Sequence, residues 1–384
     1  MKSKSHDYVR QIDSYGLGRK RSWWAVIHID PWLLLFLMVL TAYGFVVLYS
    51  AADMSVPTLK KQGTFFLIAY IGMLIVAQVP MHFLRRLAPM FFCVGVLLLL
   101  LVPLIGVGAK GAVRWLDLPG LPRFQPSEVL KTAMPLTIAW WVTKKNLPPS
   151  FAHIVGSLIL IFIPVLLIAS QPDLGTSILV AASGVFVLLF AGLLWRYIFG
   201  AVFAVLLAAW PMWHFMLHDY QKNRILTLFD PERDKFGTGW NIIQSTTAIG
   251  SGGWDGKGWL KGTQSHLNFL PESHTDFIIA VLSEEFGYKG VLLLLILYFA
   301  IIFRGLYIAW NATSNFNQLV ASSVTLTFFI YVFVNMGMVS GLLPIVGVPL
   351  PLVSQGGTSI VTLMLGFGLL MAIASDKQQF TREV

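Results

Sequence analysis

The sequence predicts an all-α, polytopic integral membrane protein with about ten transmembrane helices and one large external loop between the seventh and eighth. Composition predicts it first: 56% of the 384 residues are apolar and 12% are charged, against the roughly 25% charge of soluble domains. The mean hydropathy of +0.73 excludes a string of soluble domains. Apolar windows then recur near 32–51, 64–80, 88–107, 128–143, 154–170, 175–194, 196–217, 276–303, 315–340 and 357–375. Ten spans of ~20 residues account for most of the apolar total.

The first window follows a basic segment, 1–31, that carries Lys2, Lys4, Arg10, Arg19, Lys20 and Arg21. Trp32 to Tyr49 is longer than the ~7–15-residue core of a signal peptide and is followed by further spans, so it reads as an uncleaved first helix. The fourth window is the weakest. It opens with Glu128 and Lys131 and holds Trp140 and Trp141, which suits either a tilted helix lining a polar cavity or an amphipathic surface helix. Residues 218–275 are too long for a passive connection. The stretch 341–357, with Pro344, Pro349 and Pro351 among four glycines, reads as an irregular external re-entry or a simple turn. Cys93, the only cysteine, lies in an apolar run and cannot form an intrachain disulfide.

An even number of spans returns both termini to one side. Placing 1–31 and 376–384 in the cytoplasm puts 14 basic residues inside and seven in the short outer segments, as the positive-inside rule requires. That orientation accounts for most of the net charge of +9, and the Trp residues sit beside apolar runs instead of in a basic groove, so nucleic acid is excluded as a partner. It also places 108–127 and 218–275 outside, where no ATP is available.

The loop 218–275 contains DPERDKFGTGW (230–240) and a glycine-rich run from 248, which implies tight turns and backbone amides open to an anion. Nucleotide motifs fail there. Ser251 and Gly258 stand where a Walker loop needs Gly and Ser or Thr, and Asp255 stands where a dinucleotide fingerprint needs its third glycine. No Asp-x-Asp triplet exists for a nucleotide-sugar metal site, and His266 and His274 lack the spacing of a helical metal pair.

Ionisable residues at membrane helices are candidate functional groups because burying them is costly unless they are paired. Glu128 and Lys131 share a helix face and can pair. Asp173, in QPDLG, is a candidate site residue or a helix cap. Asp276 opens the eighth window, with Glu284 and Glu285 about two turns further on, and Ser273 to Asp276 also has the spacing of a capping box. Arg114 and Arg123 flank the fourth window on the outer side. External carboxylates, cations and access from the lipid suit an anionic, lipid-borne substrate whose energy is already stored. A lipid-linked sugar diphosphate meets that need. Displacement at its anomeric carbon requires a general base, typically worth ~10²–10⁴ in rate, and cations to hold the departing diphosphate.

QPSE (125–128), QPDLGTS (171–177), DPERD (230–234) followed by the 237–245 segment, GTQSHLNFLPESHTDFIIAVLSEEFG (262–287) and PLPLVSQGGTS (349–359), in this order, resemble the SEDS family of bacterial shape, elongation, division and sporulation proteins. The likeness runs from about Trp32 to Ala374, and the 262–277 wording looks like the elongation branch and not the division branch. The resemblance implies a ten-helix peptidoglycan glycosyltransferase of the bacterial inner membrane that polymerises lipid II beside a class B penicillin-binding protein, a single-helix transpeptidase. It implies that Asp276 is essential, and it maps the family's Glu and Lys onto Glu128 and Lys131, its Arg onto Arg114 and its QPD aspartate onto Asp173. Asp276 is then the expected base, Arg114, Arg123 and Lys131 the expected diphosphate contacts, Glu128 the residue that orients Lys131, and Lys257 or Lys261 a further contact to the donor. A divalent cation is compatible with diphosphate chemistry, but no ligand cluster in the sequence supports one. Two alternatives stay open: a lipid II flippase, and a non-catalytic scaffold for the transpeptidase.

Overall fold

The computed structural model describes residues 27–380, apart from 110–111, 118–122, 218, 235–236 and 267–271. The chain is a bundle of α1 (Pro31–Ala51), α2 (Val56–Ala77), α3 (Met81–Ile105), α4 (Pro126–Val142), α5 (Phe151–Ser170), α6 (Leu174–Phe190), α7 (Trp195–Pro211), α8 (Asp219–Phe229), α9 (Thr238–Gly252), a short α10 (Thr263–His266), α11 (Ile278–Trp310), α12 (Asn315–Val339) and α13 (Thr358–Phe380). Each predicted apolar window falls on one of these helices. Helix starts follow local chemistry. Asp30 accepts a hydrogen bond from the Leu33 amide at 2.9 Å, with Pro31 in the first turn of α1, and proline also opens α2 and α4.

Among the described residues, eight helices are long and apolar enough to cross a membrane. The two remaining apolar-window helices, α4 and α6, have 17 residues each, about 26 Å at 1.5 Å per residue, the short end of what a bilayer core demands. Both are interior. α4 packs on α3, α5, α6, α12 and α13, and nearly its whole first turn is buried. That excludes the amphipathic surface helix and leaves the cavity-lining reading of the fourth window. The opposite extreme is α7, which continues into a π-helical turn at Met212–Met216 and has no buried residue at all.

Three features depart from the sequence expectation. A two-stranded antiparallel hairpin, β1 (Val107–Ala109) with β2 (Ala112–Trp115), follows α3, and a bridge between Leu116 and Phe124 leads the chain towards α4. The segment 218–275 is largely helical, and α9 lies against α11 and α12. Finally, the eighth window is not continuous. α11 starts at Ile278 and is broken at Gly287, whose φ of 63° and ψ of −161° are non-helical.

The break has a visible cause. The 253–258 strap runs so close to α11 that a Cβ on Gly287 would lie 2.3 Å from the Gly256 nitrogen. Lys257 N donates to Glu284 O at 2.9 Å, Gly258 N to Glu285 O at 3.0 Å and Tyr288 N to Gly253 O at 2.9 Å. Of the glycine-rich amides expected to meet an anion, those of Lys257 and Gly258 are taken by backbone carbonyls of α11 and that of Gly256 by Gly252 O, while the Thr263 and Gln264 amides just beyond meet the carboxylate of Glu284. Glu284 and Glu285, buried, sit on a short segment before the break instead of two turns into a continuous span.

Gly287→Ala should destabilise the protein by at least about 2 kcal/mol, because that backbone region is essentially restricted to glycine at a cost of ~1–3 kcal/mol and the methyl would strike the strap. Thermal unfolding in detergent, followed by size-exclusion fluorescence, measures the loss.

Candidate functional site

Where α4, α6, α12 and α13 converge with the irregular 341–357 stretch, a polar cavity of about 440 Å³ is lined by Arg114, Glu128, Lys131, Asp173 and Asp276. Five of the eight predicted site residues therefore meet in one place, although they are separated by up to 162 positions in the chain.

The α4 side of this cavity is an ion pair. Lys131 Nζ donates to Glu128 Oε1 at 2.6 Å, with both side chains almost fully enclosed. Thr362 of α13 donates to the other oxygen, Glu128 Oε2, at 2.7 Å. The Lys131 ammonium also stands 5.0 Å from the Tyr331 ring centroid of α12, a cation–π distance. One carboxylate thus gathers α4 and α13, and its lysine reaches α12.

The next wall carries Asp173. Its Oδ1 accepts from the Thr176 amide at 3.2 Å, so it caps α6. Gln125 Nε2 donates to its Oδ2 at 2.6 Å, and Arg114 Nη1 lies 4.0 Å from Oδ1. Capping and cavity lining are combined in one residue. Arg114, delivered by β2, is held by donation from Nε to Gln171 O at 3.1 Å and from Nη2 to Pro172 O. The unforeseen hairpin is what brings this guanidinium over the start of α6.

Asp276 sits between two irregular segments. Its backbone carbonyl accepts from Asn335 Nδ2 of α12 at 2.9 Å. The facing loop is laced to the same turn: Gln355 N donates to His274 O at 2.9 Å, and Ser354 Oγ donates to Thr275 O. A Cβ at Gly347 would lie 3.5 Å from Asp276 Oδ2, which places the carboxylate against this loop. The capping box expected of Ser273 and Asp276 does not define the helix start: Phe277 is the N-cap of α11, without a side-chain cap bond, and Ser273 Oγ donates to Ala51 O.

Three predicted residues lie elsewhere. Arg123 is outward and pairs with Asp117 at 2.7 Å, both largely exposed. Lys257 is committed to Glu284 at 2.6 Å; that fully buried carboxylate also accepts from the Thr263 amide at 2.8 Å and from the Gln264 amide at 3.1 Å. Lys257 therefore pins the strap to α11 and does not line the cavity. Lys261 is exposed, and its stem packs on Gly258.

Sequence reasoning gave no role to Gln125, Arg224, Glu272, Tyr331, Thr358 and Ser359, which also line the cavity. Gln125, Glu272, Thr358 and Ser359 lay inside quoted motifs, whereas Tyr331 is hidden in an apolar run and Arg224 in a helix without a motif. A second hollow of about 420 Å³, against Tyr298, Phe299, Phe329 and Phe333, carries no charged side chain. Among the described residues, no group of three or more His, Cys, Asp or Glu side chains is placed to hold a metal ion.

Fold and site together define a multi-pass membrane protein with a polar cavity walled by paired charges. The family described as cell cycle protein, of the FtsW, RodA and SpoVE type, matches residues 31–379. The chain belongs to this family, the SEDS proteins. It is 48% identical over 367 residues to the peptidoglycan glycosyltransferase MrdB of Escherichia coli K12, covering 95% of this chain and 98% of that one. It is 36% identical over 358 residues to the Helicobacter pylori MrdB, covering 91% and 90%. A probable peptidoglycan glycosyltransferase FtsW of Trichlorobacter lovleyi is 34% identical over 360 residues, with 90% and 93% covered. Among solved structures, one from work on the coordination of polymerisation and crosslinking by a peptidoglycan synthase complex superposes with a TM-score of 0.81 at 29% identity, covering 91% of this chain and 99% of that chain. The rod shape determining protein RodA of Thermus thermophilus superposes with a TM-score of 0.69 at 26% identity, covering 91% and 97%.

Lys131→Met strands the Glu128 carboxylate and should cost ~3–5 kcal/mol of stability, whereas the double variant Glu128→Gln/Lys131→Met should recover most of it. Thermal unfolding of the single and double variants in detergent checks this. In the same assay Arg123→Ala, which removes an exposed pair, should change stability by less than about 1 kcal/mol.

Proposed function

We propose that this chain polymerises lipid II into β-1,4 glycan for lateral wall elongation by direct displacement, with Asp276 as the general base. A peptidoglycan glycosyltransferase of the elongation type is supported by the near full-length likeness to MrdB. The observation that carries the mechanism is that Asp276, Arg114 and Lys131 line one cavity.

The acceptor's sugar hydroxyl attacks the anomeric carbon of the donor, and its proton passes to the Asp276 carboxylate. A new carbon–oxygen bond forms as the bond to the diphosphate breaks, and the electron pair leaves with polyprenyl diphosphate. The α-linked donor thereby becomes a β-linked product by inversion. Arg114 and Lys131 supply the positive charge that the leaving diphosphate needs. Both are held in advance, Arg114 by two backbone carbonyls and Lys131 by Glu128, so little reorganisation is required as charge develops. Asp173 and Gln125 keep Arg114 and the start of α6 in register. Arg123, Lys257 and Lys261 take no part in this scheme.

The cavity is assigned to the external face of the inner membrane, with both termini cytoplasmic; the charge asymmetry of the loops supports that orientation. The partner is a crosslinking transpeptidase, a class B penicillin-binding protein. This is supported by the similarity to a chain from a peptidoglycan synthase complex that couples polymerisation with crosslinking.

Purified Asp276→Asn, assayed on labelled lipid II with and without the transpeptidase, should lose at least ~10²-fold in polymer formation while eluting as a folded monodisperse protein. Full activity in this variant sinks the assignment. Movement of lipid II across proteoliposomes by the parent protein without glycan product would favour a flippase instead.

A further inference from the structure

The cavity wall does not include Asn335, yet this residue touches the two segments on which the geometry of the site depends. It lies one turn before the end of α12 and is fully buried. Its Nδ2 donates to the carbonyl of Asp276 at 2.9 Å and to the carbonyl of Val348 at 2.7 Å. A side-chain amide has two N–H donors, so both are used, one on each segment. Both partners are carbonyl oxygens, which only the NH2 end can satisfy, and this fixes the orientation of the amide. Its Oδ1 is buried without a hydrogen-bond partner. An amide that leaves one end unsatisfied in the interior is a poor choice for stability alone. It is a good choice for holding two carbonyls at a set separation.

That separation matters to the carboxylate. Val348 follows Gly347, where an added Cβ would meet Asp276 Oδ2 at an ordinary contact distance of 3.5 Å, so the carboxylate lies directly beside this loop. Gln355 and Ser354 tie the same loop to His274 and Thr275, but Asn335 acts on residue 276 itself. We infer that Asn335 is the positioning residue for Asp276: its buried amide clamps the backbone of the catalytic aspartate to the loop at 347–348 and so fixes the carboxylate relative to the cations across the cavity. This rests on the reading of Asp276 as the base. Misplacing a reacting group by about 1 Å through a change at a distance costs ~10²-fold in rate.

The test compares the parent with Asn335→Ala, Asn335→Asp and Asp276→Asn, all full-length and purified, in polymerisation of labelled lipid II across substrate concentration and pH. For Asn335→Ala, kcat should fall ~10–100-fold with KM within about threefold of the parent. Asn335→Asp keeps the volume but sets carboxylate oxygens against two carbonyls. Its kcat should fall as well, and its deficit relative to the parent should shrink as pH is lowered, because a protonated acid regains one donor. The inference is overturned if either variant keeps kcat within twofold of the parent while Asp276→Asn is inactive, if the loss appears in KM alone, or if neither variant yields folded protein, which would make Asn335 a purely structural residue. Full turnover by Asp276→Asn would instead remove the reading of Asp276 as base, a result distinct from any of these.

Discussion

A charge placed among apolar helices costs several kcal/mol unless an opposite charge or a set of hydrogen bonds meets it, and the architecture of this bundle follows from meeting that demand. Glu128 is met by Lys131 on its own helix and by Thr362 from α13. Asp173 is met by Gln125, Arg114 and the start of its own helix. Glu284 is met by Lys257 and by two amides of the strap, and Asp30 by a two-pronged contact from Arg304 that joins α1 to α11. Three of these four carboxylates bind elements far apart in sequence. For Glu128 and Asp173, the contacts that make the charge tolerable also hold the walls of the cavity together.

The distinction between buried charges that serve the site and those that serve the frame could not be made from residue type. Lys131 and Lys257 both contact a carboxylate oxygen at 2.6 Å. One lines the cavity and the other locks the strap. In the sequence both are lysines beside glycine- or proline-rich motifs on the expected outer side, and only the path of the chain separates them. Helix existence, by contrast, was legible, because long apolar runs leave few alternatives in a membrane. The short α4 was ambiguous for a physical reason: the Glu and Lys that lower its hydropathy are neutralised as a pair, and hydropathy counts them separately.

What the sequence could not disclose was irregular backbone. The break at Gly287 arises from a strap more than 28 residues away that approaches too closely for any side chain, and the local run Phe286-Gly287-Tyr288, flanked by Glu285 and Lys289, does not disclose that approach. The hairpin that carries Arg114 is only seven residues of strand in two pieces, too short for a periodic pattern. Asn335 lay inside a long apolar run and looked like an ordinary polar interruption. The family motifs nonetheless named most of the cavity, because QPSE, QPD, HTD and the PLPLVSQGGTS run each supply a wall of it.

The contact from Thr362 to Glu128 links biogenesis to chemistry. α4 must enter the bilayer long before α13 has been synthesised, carrying Glu128 and Lys131 three residues apart as a self-neutralised unit. During that interval one carboxylate oxygen has no tertiary donor, and α2, the other broad surface that α13 covers, is bare as well. The cavity wall therefore stays incomplete until α13 docks on α2 and α4, which makes closure of the polar hollow a late event in assembling the bundle.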